Sequence, residues 1–178
     1  MPDDWFRNSD WNPAIEALSF DRLRRARKKE QYLVIQAGYL VERHPTAALA
    51  LLDRYFATGD RFHMAQALVE QATAYLALCA KQGAIELLQR ALRCERESRI
   101  MKTNAWSQHA LLVATDKLEH LYDDALRVLE ENKDHATFFR VDGFLWYAAG
   151  ALIADARGHW RRADVSRIGL TTVPARPH

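Results

Sequence analysis

The sequence predicts an all-α protein of stacked antiparallel αα-hairpins, about eight helices behind a short N-terminal arm. Three observations lead there. Apolar residues recur every three or four positions along most of the chain, and no stretch alternates convincingly with the period of two of a half-buried strand. Residues 61–95 read as two such amphipathic segments joined by a KQG turn, so short that the segments must fold back on each other. Finally, Ala48, Ala84, Ala125 and Ala163 fall at matching places in successive segments, 36, 41 and 38 residues apart, close enough to one period to suggest a repeated hairpin.

The best-defined hairpin lies in residues 61–95. Ala65, Leu68, Val69, Ala72, Leu76 and Cys79 line one stripe of its first helix, and Ala84, Leu87, Leu88, Ala91 and Leu92 one stripe of its second. Gly83 is expected at the turn, where a residue free to adopt positive φ ends the first helix.

A chain of 178 residues is the size of one domain with a real core. Its net charge of +2 leaves no global field to draw nucleic acid or an anionic membrane. The N-terminal text MPDDWFRNSDW has acids where a secretory signal carries bases, and no apolar core follows. The longest apolar run, Phe144 to Ala154 broken only by Gly150, is about half of the ~20 residues needed to cross a bilayer. The expectation is a cytoplasmic protein with no membrane association. Cys79 and Cys94 lie in opposite arms of the hairpin but are offset by roughly 13 Å along it at ~1.5 Å per residue, so free, at least half-buried thiols are expected.

In chain order, residues 1–11 form an arm whose Trp5, Phe6 and Trp11 are expected to cap the first helices, or else to contact a partner. The helical domain spans residues 12–170. Asn12–Pro13 is a helix start, with Asn as N-cap and Pro in the first turn. That helix points Ile15, Leu18, Leu23 and Ala26 inward and carries the basic run Arg22–Lys29 on its other face. A helix through Tyr32–Glu42 breaks at His44–Pro45, and a second runs from Pro45 to Phe56, ended by Thr58-Gly59-Asp60. After a connector at 98–103, Asn104 opens a helix with Trp106, Ala110, Val113 and Leu118 inward. Another follows over Asp123–Glu131. Asp134 or Thr137 opens the next, which is apolar nearly all round and so expected to be covered on more than one side. Trp160–Ile168 makes a last short helix, and 171–178 is a loose tail.

Ala72 and Tyr75 on the first helix of the 61–95 hairpin, with Ala84, Leu88 and Ala91 on the second, resemble the small–aromatic and Ala–large–Ala positions of the tetratricopeptide repeat (TPR). In that pattern small residues let the paired helices approach, and larger ones fill the space between neighbouring hairpins. The third unit places Val113 and Asp116 at the small and aromatic positions, and the fourth Ala151 and Ala154, so the resemblance is that of a divergent member covering roughly residues 28–170. HEAT-like or other αα-hairpin stacking is the alternative. The N-terminal text WFRNSDWN with RLRRARKKEQYLVIQA is also similar to bacterial helical-repeat proteins. The resemblance implies a short right-handed solenoid in which partners lie in a groove lined by the first helices. Carried over residue by residue, that groove holds Gln66, Val69, Thr73 and Leu76, then Lys102, Gln108 and His109, then Arg140 and Trp146. Core packing is the competing reading for Trp146 and His109.

Motifs for chemistry are missing. The seven histidines form no HExxH or His-x3-His pair, the two cysteines no CxxC, and there is no GxGxxG, GxxxxGK[ST] or GxSxG. The acids from Asp116 to Asp134 alternate with Lys117, Arg127 and Lys133, as on a solvated helix face. No catalytic residue, cofactor or metal is expected. The reading that remains is a non-catalytic module binding another protein or a peptide, one version being a bacterial immunity protein that blocks a toxin domain. A nucleic-acid regulator using Arg22–Lys29, or an enzyme with a site between hairpins, is the alternative. The basic run contains no aromatic for base stacking and is flanked by Asp21 and Glu30, which disfavours nucleic acid.

Overall fold

The computed structural model describes residues 4–98 and 101–158. All regular structure among them is helical, as the periodicity requires. In chain order the helices are α1 (Pro13–Arg25), α2 (Lys29–Leu40), α3 (Pro45–Ala57), α4 (Met64–Ala77), α5 (Lys81–Ser98), α6 (Ala105–Thr115), α7 (Tyr122–Glu131), α8 (Lys133–Ala136) and α9 (Arg140–Ala156), with a 3-10 turn at Glu119–Leu121 before α7. They fall into two compact units, Met1–His109 and Ala110–His178, with α6 carrying the chain from one to the other. No helix among the described residues is long and apolar enough to cross a membrane. The expected Trp160–Ile168 helix, the repeat position Ala163 and the tail at 171–178 lie outside the described residues.

In the first unit α2 folds back on α3 and α4 on α5, while α3 and α2 both pack against α4. The core between them is aliphatic: Leu33, Ala37 and Leu40 of α2 meet Ala48, Leu51, Leu52 and Tyr55 of α3 and Ala67 and Ala74 of α4. The arm caps this core, as the aromatic residues lead one to expect. Trp5 and Phe6 stack on Tyr32, Trp11 packs on the core, and Asn8 and Gln36 exchange two hydrogen bonds. At the start of α1, Asn12 Oδ1 accepts from the N–H groups of Ala14 and Ile15, satisfying two donors left open by the first turn.

Three local expectations are corrected. Gly83 does not form the turn: α4 ends at Ala77, and Cys79 is the residue with positive φ, 60°. The Ala80 N–H donates to the Tyr75 carbonyl and the Cys79 N–H to that of Leu76, which is the Schellman pattern with a cysteine in glycine's usual place. Cys79 is consequently exposed and off the apolar stripe, whereas Cys94 is half-buried; both thiols are free. Secondly, Leu18 is exposed and the basic run is not one helix face. It spans the end of α1, the linker at 26–28 and the start of α2, and Asp21 pairs with both Arg24 and Arg25. Thirdly, neither Asp134 nor Thr137 opens the long last helix. The short α8 intervenes, and the backbone is extended at Phe139 before α9 begins at Arg140.

In the second unit α7 packs against α9, and α8 joins both. Trp146 Nε1 donates to the Leu129 carbonyl at 2.7 Å and Arg157 pairs with Asp123 at 2.7 Å. Gly158, with φ of +68°, stops α9 where the sequence places the stop. The expected double cover of α9 is absent among the described residues: Phe138, Phe139, Val141 and Phe144 stand largely in solvent.

Candidate functional site

The first unit offers one surface where polar side chains are held at an interhelical seam. α2 and α4 approach so closely at Gly38 that a Cβ there would lie 3.1 Å from the Glu70 carboxyl carbon. The missing side chain is therefore space for a carboxylate. Gln66, Glu70 and Thr73 follow the i, i+4, i+7 spacing that sets residues on one helix face, and all three are half-buried. Gln66 Nε2 donates to Glu70 Oε1 at 2.5 Å, and Thr73 Oγ1 donates to the Val69 carbonyl at 3.0 Å. Burial pushes the Glu70 carboxyl above the usual carboxylate range, and the Gln66 bond only partly offsets that. Chemically, the seam presents a shielded acceptor with one oxygen bonded to Gln66, suited to an N–H or a cationic donor.

The nine expected contact residues divide into groups. Gln66, Thr73 and Leu76 are half-buried on α4 around this seam. Val69 and His109 are core residues instead. Val69 lies one position from Glu70 and turns inward, and His109 is fully buried, so neither side chain is presented at the surface. Lys102 is exposed beside the buried Glu95, 3.8 Å from its Oε2, and Gln108 is half-buried in α6. In the second unit Arg140 and Trp146 line one groove of about 500 Å³ with Phe138, Phe139 and Tyr147. Trp146 is half-buried and spends its N–H on Leu129, so its packing role is real.

Sequence reasoning missed Glu70. The signal was its place midway between Gln66 and Thr73 on a face already chosen for the groove. It also missed the surface groove of about 570 Å³ lined by Phe62, Met64, Leu68, Arg90, Cys94 and Met101, which joins the start of α4 to the end of α5. Among the described residues no three His, Cys, Asp or Glu side chains are grouped to hold a metal ion. No protein-family model, no curated protein and no solved structure matches the chain.

Proposed function

We propose that this chain is a non-catalytic, tetratricopeptide-like helical-repeat module that binds a protein or peptide on the joint face of α2 and α4. The observation that carries the reading is the packing of α2 beside α4 at Gly38 and Glu70. These are the first helices of two consecutive hairpins, the pair that lines the groove of such repeats. Complete burial of Ala72, Ala84, Leu88 and Ala91, with Tyr75 half-buried between the helices, supports the repeat assignment. So does the burial of Ala48, Ala84 and Ala125 at the matching positions of three second helices. The shielded Glu70 carboxylate favours a partner that brings N–H donors or a basic side chain. An immunity protein that masks a toxin domain is one case within this class.

The test is site-specific photo-crosslinking in the native host. A photoreactive residue at 66 or 73 should capture one protein species that the same residue at Arg90, exposed on α5, does not. Glu70→Lys should then abolish capture with helicity unchanged. Equal capture from all three positions, or none, would refute the groove.

A further inference from the structure

α9 is apolar around most of its circumference, and the second unit uses one side of it. Ala149 and Ile153 are buried, and Trp146 is tied to α7 through Leu129. The side turned away from these, at 3.6 residues per turn, carries Val141, Phe144, Ala148, Ala151 and Leu152. Val141, Phe144 and Leu152 are 62%, 69% and 42% exposed. Val141, Phe144, Ala148, Ala151 and Asp155 also keep the alternating three- and four-residue spacing of a helix–helix seam. Burying such a stripe is favourable, and its extent marks it as a contact surface.

We propose that this stripe is a two-fold interface with a second copy of the chain, the two α9 helices running antiparallel and crossing at Ala148. In that arrangement residues equally far from Ala148 lie at the same height, so Phe144 comes level with the partner's Leu152 and small residues meet at the centre. The charges select this occupant. Arg140 lies eight residues before Ala148 and Asp155 seven after it, about 12 and 10.5 Å along the axis. Asp155 lies within the stripe, between the directions of Phe144 and Ala148, and Arg140 lies at its edge beside Ala151, so reversal of one helix brings each Arg140 side chain within reach of the partner's Asp155. Both are exposed, and among the described residues neither takes part in an ion pair.

Each also stands at the wrong end of its own helix. Arg140 is the first residue of α9 and Asp155 lies in its last turn, where the helix dipole disfavours a cation and an anion respectively. An antiparallel copy places the opposite charge at each end. A surface of this kind is complementary to itself, as a closed two-fold interface must be.

The experiment is sedimentation analysis of the full chain over a range of concentrations. The expected result is a species of twice the chain mass that dissociates on dilution. Phe144→Asp should yield monomer with unchanged far-UV helicity, since residue 144 is exposed. Arg140→Asp and Asp155→Arg should each weaken the dimer about tenfold, and the two together should restore it. A chain that stays monomeric overturns the proposal. With Cys79 and Cys94 replaced by serine, since both are free thiols, a cysteine at 144 then tells whether the stripe is covered by its own chain (slow thiol labelling) or open to a different protein (fast labelling). A dimer indifferent to Phe144→Asp, or a double reversal that fails to restore association, overturns it as well.

Discussion

The ring of Tyr75 occupies the space that a side chain on residue 83 would need. A Cβ built on Gly83 would lie 2.6 Å from Tyr75 Cδ1 and 2.8 Å from Cε1. Gly83 is the third residue of α5, inside the helix, where glycine costs about 1 kcal/mol relative to alanine. The contact explains why that cost is borne: the aromatic of one helix packs directly on the backbone of the next.

Two opposed effects therefore meet in Gly83→Ala. Overpacking against a held ring costs about 1–3 kcal/mol and should outweigh the gain in helix propensity. The expected outcome is a lower midpoint of denaturant unfolding. In a Tyr75→Ala background the same substitution should become neutral or stabilising, and a double-mutant cycle measures the coupling.

Glu95 joins the end of α5 to the entry of α6. It is 2% exposed and accepts from the Thr103 N–H at 2.9 Å and the Thr103 hydroxyl at 2.5 Å. The same hydroxyl oxygen accepts from the Ala105 N–H at 3.1 Å. Glu95→Ala should cost about 2–3 kcal/mol, because hydrogen bonds to a charged acceptor are worth more than neutral ones and two buried donors lose it. Glu95→Gln keeps an acceptor and should cost less. Urea unfolding midpoints order the three proteins.

Glu70 sets a pH dependence of one sign. Burial raises its carboxyl in the folded state, so the folded chain holds that proton to higher pH than the unfolded chain. Stability from this group is therefore gained as pH falls through the folded titration and reduced above it. Glu70→Gln should be more stable than the parent at neutral pH. The difference should shrink as the parent is acidified, read from melting temperatures across the acidic range.

Asp60 sets the opposite sign. Burial alone would raise its carboxyl, but hydrogen bonds from the His63 N–H, the Tyr55 hydroxyl and the Phe62 N–H outweigh it and hold the group below its ordinary value. The stability it contributes is present at neutral pH and lost as pH falls through its folded titration. Tyr55 is the other half of this link between α3 and α4, its hydroxyl donating to Asp60 Oδ2 at 3.0 Å. Burial first, and then that bond, push the phenol up. Tyr55→Phe should cost about 1 kcal/mol at neutral pH and leave the protein less sensitive to mild acid.

Periodicity and punctuation in the sequence determined that the described chain is helical and where most helices begin. Asn12–Pro13, His44–Pro45 and Gly59 act through the local backbone, so their effect is legible without knowing what packs nearby. The stripe Ala65, Leu68 and Ala72 was equally plain, because one face of an amphipathic helix has only one place to go. Tertiary structure alone decided which face each borderline residue joined. Cys79 took the left-handed turn that glycine would ordinarily take, and Gly83 was instead reserved for the Tyr75 ring. Val69 and His109 went inward, and Glu70 was drawn to the seam at Gly38. On α9, apolar on all sides, periodicity offered no way to distinguish the side facing α7 from the side left in solvent. Those outcomes depend on contacts between residues far apart in the chain, and helical spacing does not encode which distant helix will arrive.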